Sequence, residues 1–191
     1  MAVSLTKGGN VSLTKQAPGL SKISVGLGWE ARTASGSAFD LDASAILAGP
    51  DGRVPSDSYF VFYSNRTSPD SSVRHQGDNR TGIGEGDDEV IDVDLDQVAP
   101  QVDRVVFAVS IYDGDTSGHT FGQVRNAYIR VLDRDTRAEV ARYALSEDAS
   151  DETAMVYGEL YRNGQEWKFR AVGQGHASGL RGIAEDFGVS V

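Results

Sequence analysis

Hydrophobic and polar residues alternate along this chain in runs too short for helices, and a turn signal follows most of them. From Ala38 to Leu47, the residues Phe39, Leu41, Ala43, Ala45 and Leu47 share one face, while Asp40, Asp42 and Ser44 share the other. That is the two-residue period of a strand. Turn signals recur at intervals of roughly 8–15 residues, as in short-stranded sandwiches and barrels. The expected fold is all-β, a two-sheet β-sandwich of about ten short strands with minor short helices. A length of 191 residues with 39% hydrophobic content suits one domain over 1–191 with a real core.

Strands are expected at Val11–Leu13, Lys22–Trp29, Ala38–Leu47, Ser58–Ser64, Glu89–Leu95, Arg104–Tyr112, Ala127–Leu132, Glu139–Leu145, Ala154–Arg162 and Glu166–Val172. Asn163-Gly164 favours a tight hairpin between the last two, and Gly49-Pro50-Asp51-Gly52 reads as another turn. Asp96 to Val102 reads as one helical turn stopped by Pro100. Ser178 to Phe187 reads as a short C-terminal helix, capped by Ser178 and ended by Gly188. The repeated pieces Val3-Ser4-Leu5-Thr6-Lys7 and Val11-Ser12-Leu13-Thr14-Lys15 suggest two antiparallel strands joined through Gly8-Gly9-Asn10. Ser64 to Asn79 reads as a long loop.

Charge narrows the function. Eighteen basic residues against 28 acidic ones give a net charge of −10. A general nucleic-acid binder needs a basic face, and so does a protein that adsorbs to anionic lipid. Cations or basic partners are the expected counterparts. The absence of cysteine removes disulfides, thiolate catalysis and cysteine metal sites. No window has the apolar length of a membrane span, and Met1 to Asn10 lacks the pattern of a secretory signal. The expectation is a soluble, cytoplasmic protein.

The acids are concentrated. Asp78, Glu85, Asp87, Asp88, Glu89, Asp92, Asp94 and Asp96 lie within one short stretch, opposed only by Arg80. Gly77, Gly82, Gly84 and Gly86 are interleaved with them. Closely spaced carboxylates repel unless a cation or solvent screens them. Glycines let the backbone curl so that several oxygens face one point, and calcium takes six to eight such oxygens. Two readings stand side by side: a calcium site, or a solvated acidic loop. The stretch is not an EF-hand, because Arg80 and Ile83 would occupy positions that need a ligand and a glycine. Asp113 to Gly118 reads as a plain acidic loop. Asp40 and Asp42 either form the solvent face of an edge strand or dock on the glycine-rich loop to complete a site.

Other chemistry is weakly represented. There is no phosphate-binding GxxxxGK[ST] loop and no GxSxG nucleophile elbow. Gly26-Leu27-Gly28-Trp29-Glu30-Ala31 matches a dinucleotide fingerprint without the βαβ context, so its glycines are read as allowing close packing in a twisted strand. His75, His119 and His176 are scattered, and His75 is expected to be an exposed loop residue, although it precedes the acidic stretch. Trp29 and Trp167 sit in strand-like runs and read as core.

Several pieces, in order, resemble the TerD family of tellurium-resistance and bacterial stress proteins. They are Lys7-Gly8-Gly9-Asn10-Val11-Ser12-Leu13, Gly26-Leu27-Gly28-Trp29, Phe39-Asp40-Leu41-Asp42-Ala43-Ser44, Gly77-Asp78-Asn79-Arg80-Thr81-Gly82, Gly86-Asp87-Asp88-Glu89, Phe121-Gly122-Gln123-Val124-Arg125-Asn126-Ala127 and Trp167-Lys168-Phe169-Arg170-Ala171-Val172-Gly173. The resemblance covers essentially the whole chain. It implies a β-sandwich that binds calcium, with two ions plausible. It places Asp40, Asp42, Asn65, Asp78, Asn79, Asp87, Asp88 and Glu89 in or beside the metal site. Glu30 stands where many relatives carry aspartate. The resemblance implies no enzyme, and partners among other stress and tellurium-resistance proteins. The alternatives are a calcium-stabilised interaction module with no sensing role, and a metal-assisted hydrolase, for which no base or nucleophile stands out. Direct reduction of tellurite is not expected without thiols or a flavin or nicotinamide signature.

Overall fold

The structure is a computed structural model that describes residues 2–30, 40–77, 86–145 and 151–191. In chain order its elements are β1 (Val3–Leu5), β2 (Asn10–Ser12), α1 (Leu13–Gln16), β3 (Lys22–Gly28), β4 (Leu41–Ala48), β5 (Phe60–Val61), β6 (Val73–His75), β7 (Glu89–Asp94), β8 (Arg104–Ile111), α2 (Gly114–Ser117), β9 (Tyr128–Asp133), β10 (Glu139–Ala144), β11 (Ala154–Asn163), β12 (Glu166–His176) and α3 (Gly179–Asp186). They form two six-stranded sheets. The first runs β1-β10-β9-β3-β7-β6 and the second β2-β12-β11-β8-β4-β5. All pairings are antiparallel except that of β1 with β10.

Alternation builds the core. Ile23, Val25, Leu27, Ile91 and Val93 of the first sheet face Leu41, Ala43, Leu47, Phe107 and Val109 of the second in one cluster. Both tryptophans belong to that cluster, as expected. The second sheet also buries its outer face. There Ile46, Val106 and Ala108 pack with Ile183 and Ala184 of α3. β4 is therefore buried along its whole length. It lies between β8 and β5, so it is not the edge strand with a solvent face that its polar residues allowed. The C-terminal helix falls where expected, although the Ser178 side chain makes no capping bond.

Other expectations are corrected. The two N-terminal repeats do not pair with each other. β1 joins β10 in the first sheet and β2 joins β12 in the second. The chain crosses between sheets at Gly8-Gly9, where Gly8 donates to the Ala171 carbonyl and Ala171 donates to that of Gly9. Each repeat thus covers an edge that a hairpin would have left open. Leu13 opens α1 rather than ending a strand, because Ser12 Oγ accepts the Lys15 N–H. The hairpin loop is Gly164-Gln165, with Asn163 paired to Glu166. Only Gly164 has positive φ, the II′ pattern. Asp96 to Val102 forms turns without a helix. The strand expected over Ser58–Ser64 shrinks to β5 behind a 3₁₀ turn at Asp57–Tyr59, and the turn at Asp113 winds into α2. The long loop contains β6.

Asp70 organises the turn that leads into β6. Its Oδ1 accepts from Ser68 Oγ at 2.6 Å, Ser72 Oγ at 2.7 Å and Ser72 N at 3.0 Å, and its Oδ2 accepts from Ala99 N at 2.9 Å. Burial pushes this carboxyl up, but the four hydrogen bonds prevail and hold it below the usual range. A lowered carboxyl pKa contributes stability above the ordinary aspartate range, which is lost as pH falls through the folded-state value. Asp70→Ala should cost about 2 kcal/mol in urea unfolding at neutral pH. The difference from wild type should shrink in acid, and a constant difference down to strongly acidic pH would contradict the assignment.

Candidate metal centre

The acidic stretch connects β6 to β7. Asp78 and Asn79 lie outside the described residues; Asp87, Asp88 and Glu89 lie at the start of β7. The ladder of β7 begins at Glu89, so Asp87, which precedes it, is not held to the strand's alternation, and the three consecutive carboxylates enter different surroundings.

Asp87 lies on the outer face of the first sheet, on a floor made by glycine. A Cβ on Gly26 would stand 2.1 Å from Asp87 Oδ2, and one on Gly28 would stand 2.4 Å from the Tyr128 ring. A side chain at either position would have to displace Asp87 or Tyr128, which is the close packing expected of this pair. Asp87 Oδ1 accepts from Arg130 Nε at 2.8 Å and from the Tyr128 hydroxyl at 3.1 Å. Arg130 also reaches Glu139 at 3.1 Å, and the Arg142 guanidinium stacks 3.8 Å from the Tyr128 ring centre. Burial, then the charge of Asp87, pushes the Tyr128 phenol up.

Glu89 points the other way, into the space between the sheets, and is 1% exposed. Its Oε2 lies 3.0 Å from His75 Nε2 and accepts the Ala43 N–H at 3.4 Å. His75 Nε2 also lies 3.1 Å from the Ala43 carbonyl oxygen. Gly77 N–H donates to His75 Nδ1 at 3.2 Å, so the ring proton sits on Nε2. His75 is thus a buried member of β6, and the expectation of an exposed loop histidine is corrected. The β-like alternation Val73-Arg74-His75 was its only sequence signal.

Asp88 lies between these two. The Trp29 N–H donates to its Oδ2 at 3.0 Å. Burial raises its pKa, the Trp29 bond opposes the rise, and the charges of Asp87 and Glu89 add to it. Asp42 is buried on the outer face of the second sheet, in a groove with Ser110 and Tyr63. Asp42 and Asp87 therefore occupy opposite outer faces of the sandwich. Asp40 accepts the Tyr112 N–H through its carbonyl. Asn65 donates through Nδ2 to the carbonyls of Phe60 at 2.7 Å and Ser58 at 3.1 Å. It stands next to β6, because the carbonyl of Arg66 accepts the His75 N–H. Glu30 accepts from Asn126 Nδ2 at 2.7 Å. Among the described residues, no three histidine or acidic side chains converge into a set that could hold a metal ion.

Arg130 and Tyr128 escape a reading of the sequence alone, because only the register of β9 against β3 sets them over the glycines. Their role is testable. Arg130→Ala leaves a buried carboxylate without its guanidinium and should cost about 3 kcal/mol. Gly26→Ala should cost about 1–3 kcal/mol by displacing Asp87. In a thermodynamic cycle, Arg130→Ala and Asp87→Ala should be coupled by more than about 1 kcal/mol. Additive losses would show that the pair does not act as a unit.

Comparison with known proteins bears on the family and the fold. Residues 1–187 match the TerD domain family. The chain is 55% identical over 190 residues to tellurium resistance protein TerD of Serratia marcescens, covering 100% of this chain and 99% of that protein. It is 46% identical over 192 residues to general stress protein 16U of Bacillus subtilis (strain 168), covering 100% of both. A solved homologue of telluride resistance protein (TerD) from Streptomyces coelicolor A3(2) superposes with a TM-score of 0.70 at 28% identity, covering 87% of this chain and 96% of that one. No helix among the described residues is long and apolar enough to cross a membrane. With its two-sheet sandwich, its glycine floor under an acidic strand end and whole-length relatives of this kind, the chain belongs to the TerD family of tellurium-resistance and stress-response proteins.

Proposed function

We propose that this chain is a calcium-binding, non-catalytic protein of a tellurite-resistance or stress-response system, acting in the cytoplasm alongside other proteins of that system. The observation that supports this reading is the fixing of Asp87, Asp88 and Glu89 at the mouth of the glycine-rich acidic stretch. Asp87 is given to a guanidinium, Glu89 to a histidine and a backbone N–H, and Asp88 is disfavoured as a carboxylate first by burial and then by the charges of both. A divalent cation is the group that would offset those charges. The donor chemistry fits calcium: carboxylate and amide oxygens, no thiolate, and glycines that allow the chain to wrap.

In this reading Asp88 and Glu89, with Asp78 and Asn79, would hold one ion. Asn65 would join through its amide oxygen, since its Nδ2 serves two carbonyls. Asp40 and Asp42, on the other sheet, would serve a second ion. Asp87 would hold the base of the stretch through Arg130. Bound calcium would supply charge neutralisation and tie together the loops at this end of the sandwich.

Calorimetric titration of metal-free protein in excess magnesium should give saturable calcium binding with whole-number stoichiometry. Calcium at 100 times Kd should add about 2.7 kcal/mol to stability for one site. Asp88→Asn should remove most of the calcium-dependent rise in Tm. The metal-free variant should melt no lower than wild type, because an asparagine carbonyl still accepts from Trp29 and the like-charge repulsion is gone. Neither heat nor a Tm shift in wild type would end the calcium reading, and an undiminished shift in the variant would remove Asp88 from the site.

A further inference from the structure

The outer face of the second sheet carries a groove whose chemistry is unlike that of the acidic stretch. It is lined by Asp42, Tyr63, Ser110, Tyr112 and Asp113, with the start of α3 on one side, and encloses about 350 Å³. That is the lower end of the range for pockets that hold a ligand. Tyr63 is 44% exposed and Tyr112 54% exposed. With Val191 near the chain end, they are the exposed large hydrophobic side chains among the described residues, and both line this groove. Scattered exposed aromatics are ordinary; two in one concave site are not.

The Tyr63 ring is packed, and Tyr112 is tied through its backbone. Phe62 meets Tyr63 edge-on at 5.3 Å and stacks on Phe60 at 4.7 Å. The Tyr112 backbone is tied to Asp40 by its N–H. Asp42 is 8% exposed, and Asp113 is exposed beside Tyr112. Arg181 also lines the groove, but its Nε donates to Glu185 Oε1 at 2.9 Å along its own helix.

We propose that this groove docks an arginine side chain from an extended basic segment of a partner protein. Two tyrosine faces and a carboxylate suit a guanidinium, which stacks on rings and forms paired hydrogen bonds to carboxylates. The chain's charge of −10 favours a basic partner over an acidic one. The same recognition occurs within the molecule: Arg142 covers Tyr128, and Arg162 covers Trp167 at 4.4 Å. Among the described residues, neither Tyr63 nor Tyr112 has such a cation. Asp42 serves a second ion in the calcium reading and a guanidinium in this one, so bound calcium and the arginine would compete there, and the test is run without calcium.

The test uses a short capped peptide of alternating glycine and arginine, fluorescently labelled, with a glycine–glutamate peptide as control. Anisotropy is measured on the full chain in chelator, which keeps the outcome separate from calcium binding. The arginine peptide should bind saturably and the glutamate peptide should not. The double variant Tyr63→Ala, Tyr112→Ala keeps every charge and should weaken binding roughly tenfold. Tyr63→Phe with Tyr112→Phe should retain most of it. Unchanged Tm in both variants would show that the fold is intact. If the alanine variant binds like wild type, the peptide is attracted by net charge alone and the groove assignment falls. Failure of wild type to bind the arginine peptide at low salt would overturn it as well.

Discussion

One backbone residue ties the two sheets together beside the acidic stretch. β5 pairs with β4 only at Ala45 and Ile46, so the outer side of β4 near Ala43 has no neighbouring strand. The N–H and carbonyl of Ala43 are met instead by Glu89 and His75 of the opposite sheet. A buried backbone group without a partner costs about as much as a lost hydrogen bond. The histidine and glutamate therefore stand in for a missing strand, and they fasten the ends of β6 and β7 in doing so.

On the other side of β7 the constraint is steric. Gly26 and Gly28 leave the outer face of β3 bare, and Asp87 and Tyr128 fill it. Arg130 neutralises Asp87 there with a charge that cannot be titrated away. The three adjacent acids are thus sorted where the chain enters β7: Asp87 precedes the ladder and faces outward, while Glu89 is its first member and faces inward. One is paired outward, one is clamped inward, and Asp88 between them is pushed up by burial and then by the charges of both.

Much of this is legible in the sequence. Periodicity located ten of the strands, the buried tryptophans and the C-terminal helix, because each reports only on its own neighbourhood. The glycines of β3 were read as packing residues for the same reason. Short elements were harder. β6 has three residues inside what reads as a polar loop, too few for its alternation to stand out. His75 therefore reads as a loop residue, although it is a buried member of that strand. The repeat at the N-terminus suggested a hairpin, whereas open edges on both sheets each claimed one copy.

The sequence by itself determined the class of structure and the concentration of charge. A residue's type and its spacing from near neighbours decide whether a segment pleats, turns or repels itself. Only the tertiary structure decided which groups meet. Arg130 reaches Asp87 across 43 residues of chain, and His75 reaches Ala43 across 32. Such contacts depend on strand order and register, which are settled by burying the whole core at once. Local pattern assigns a side chain to a face, and the pairing of strands decides what waits for it there.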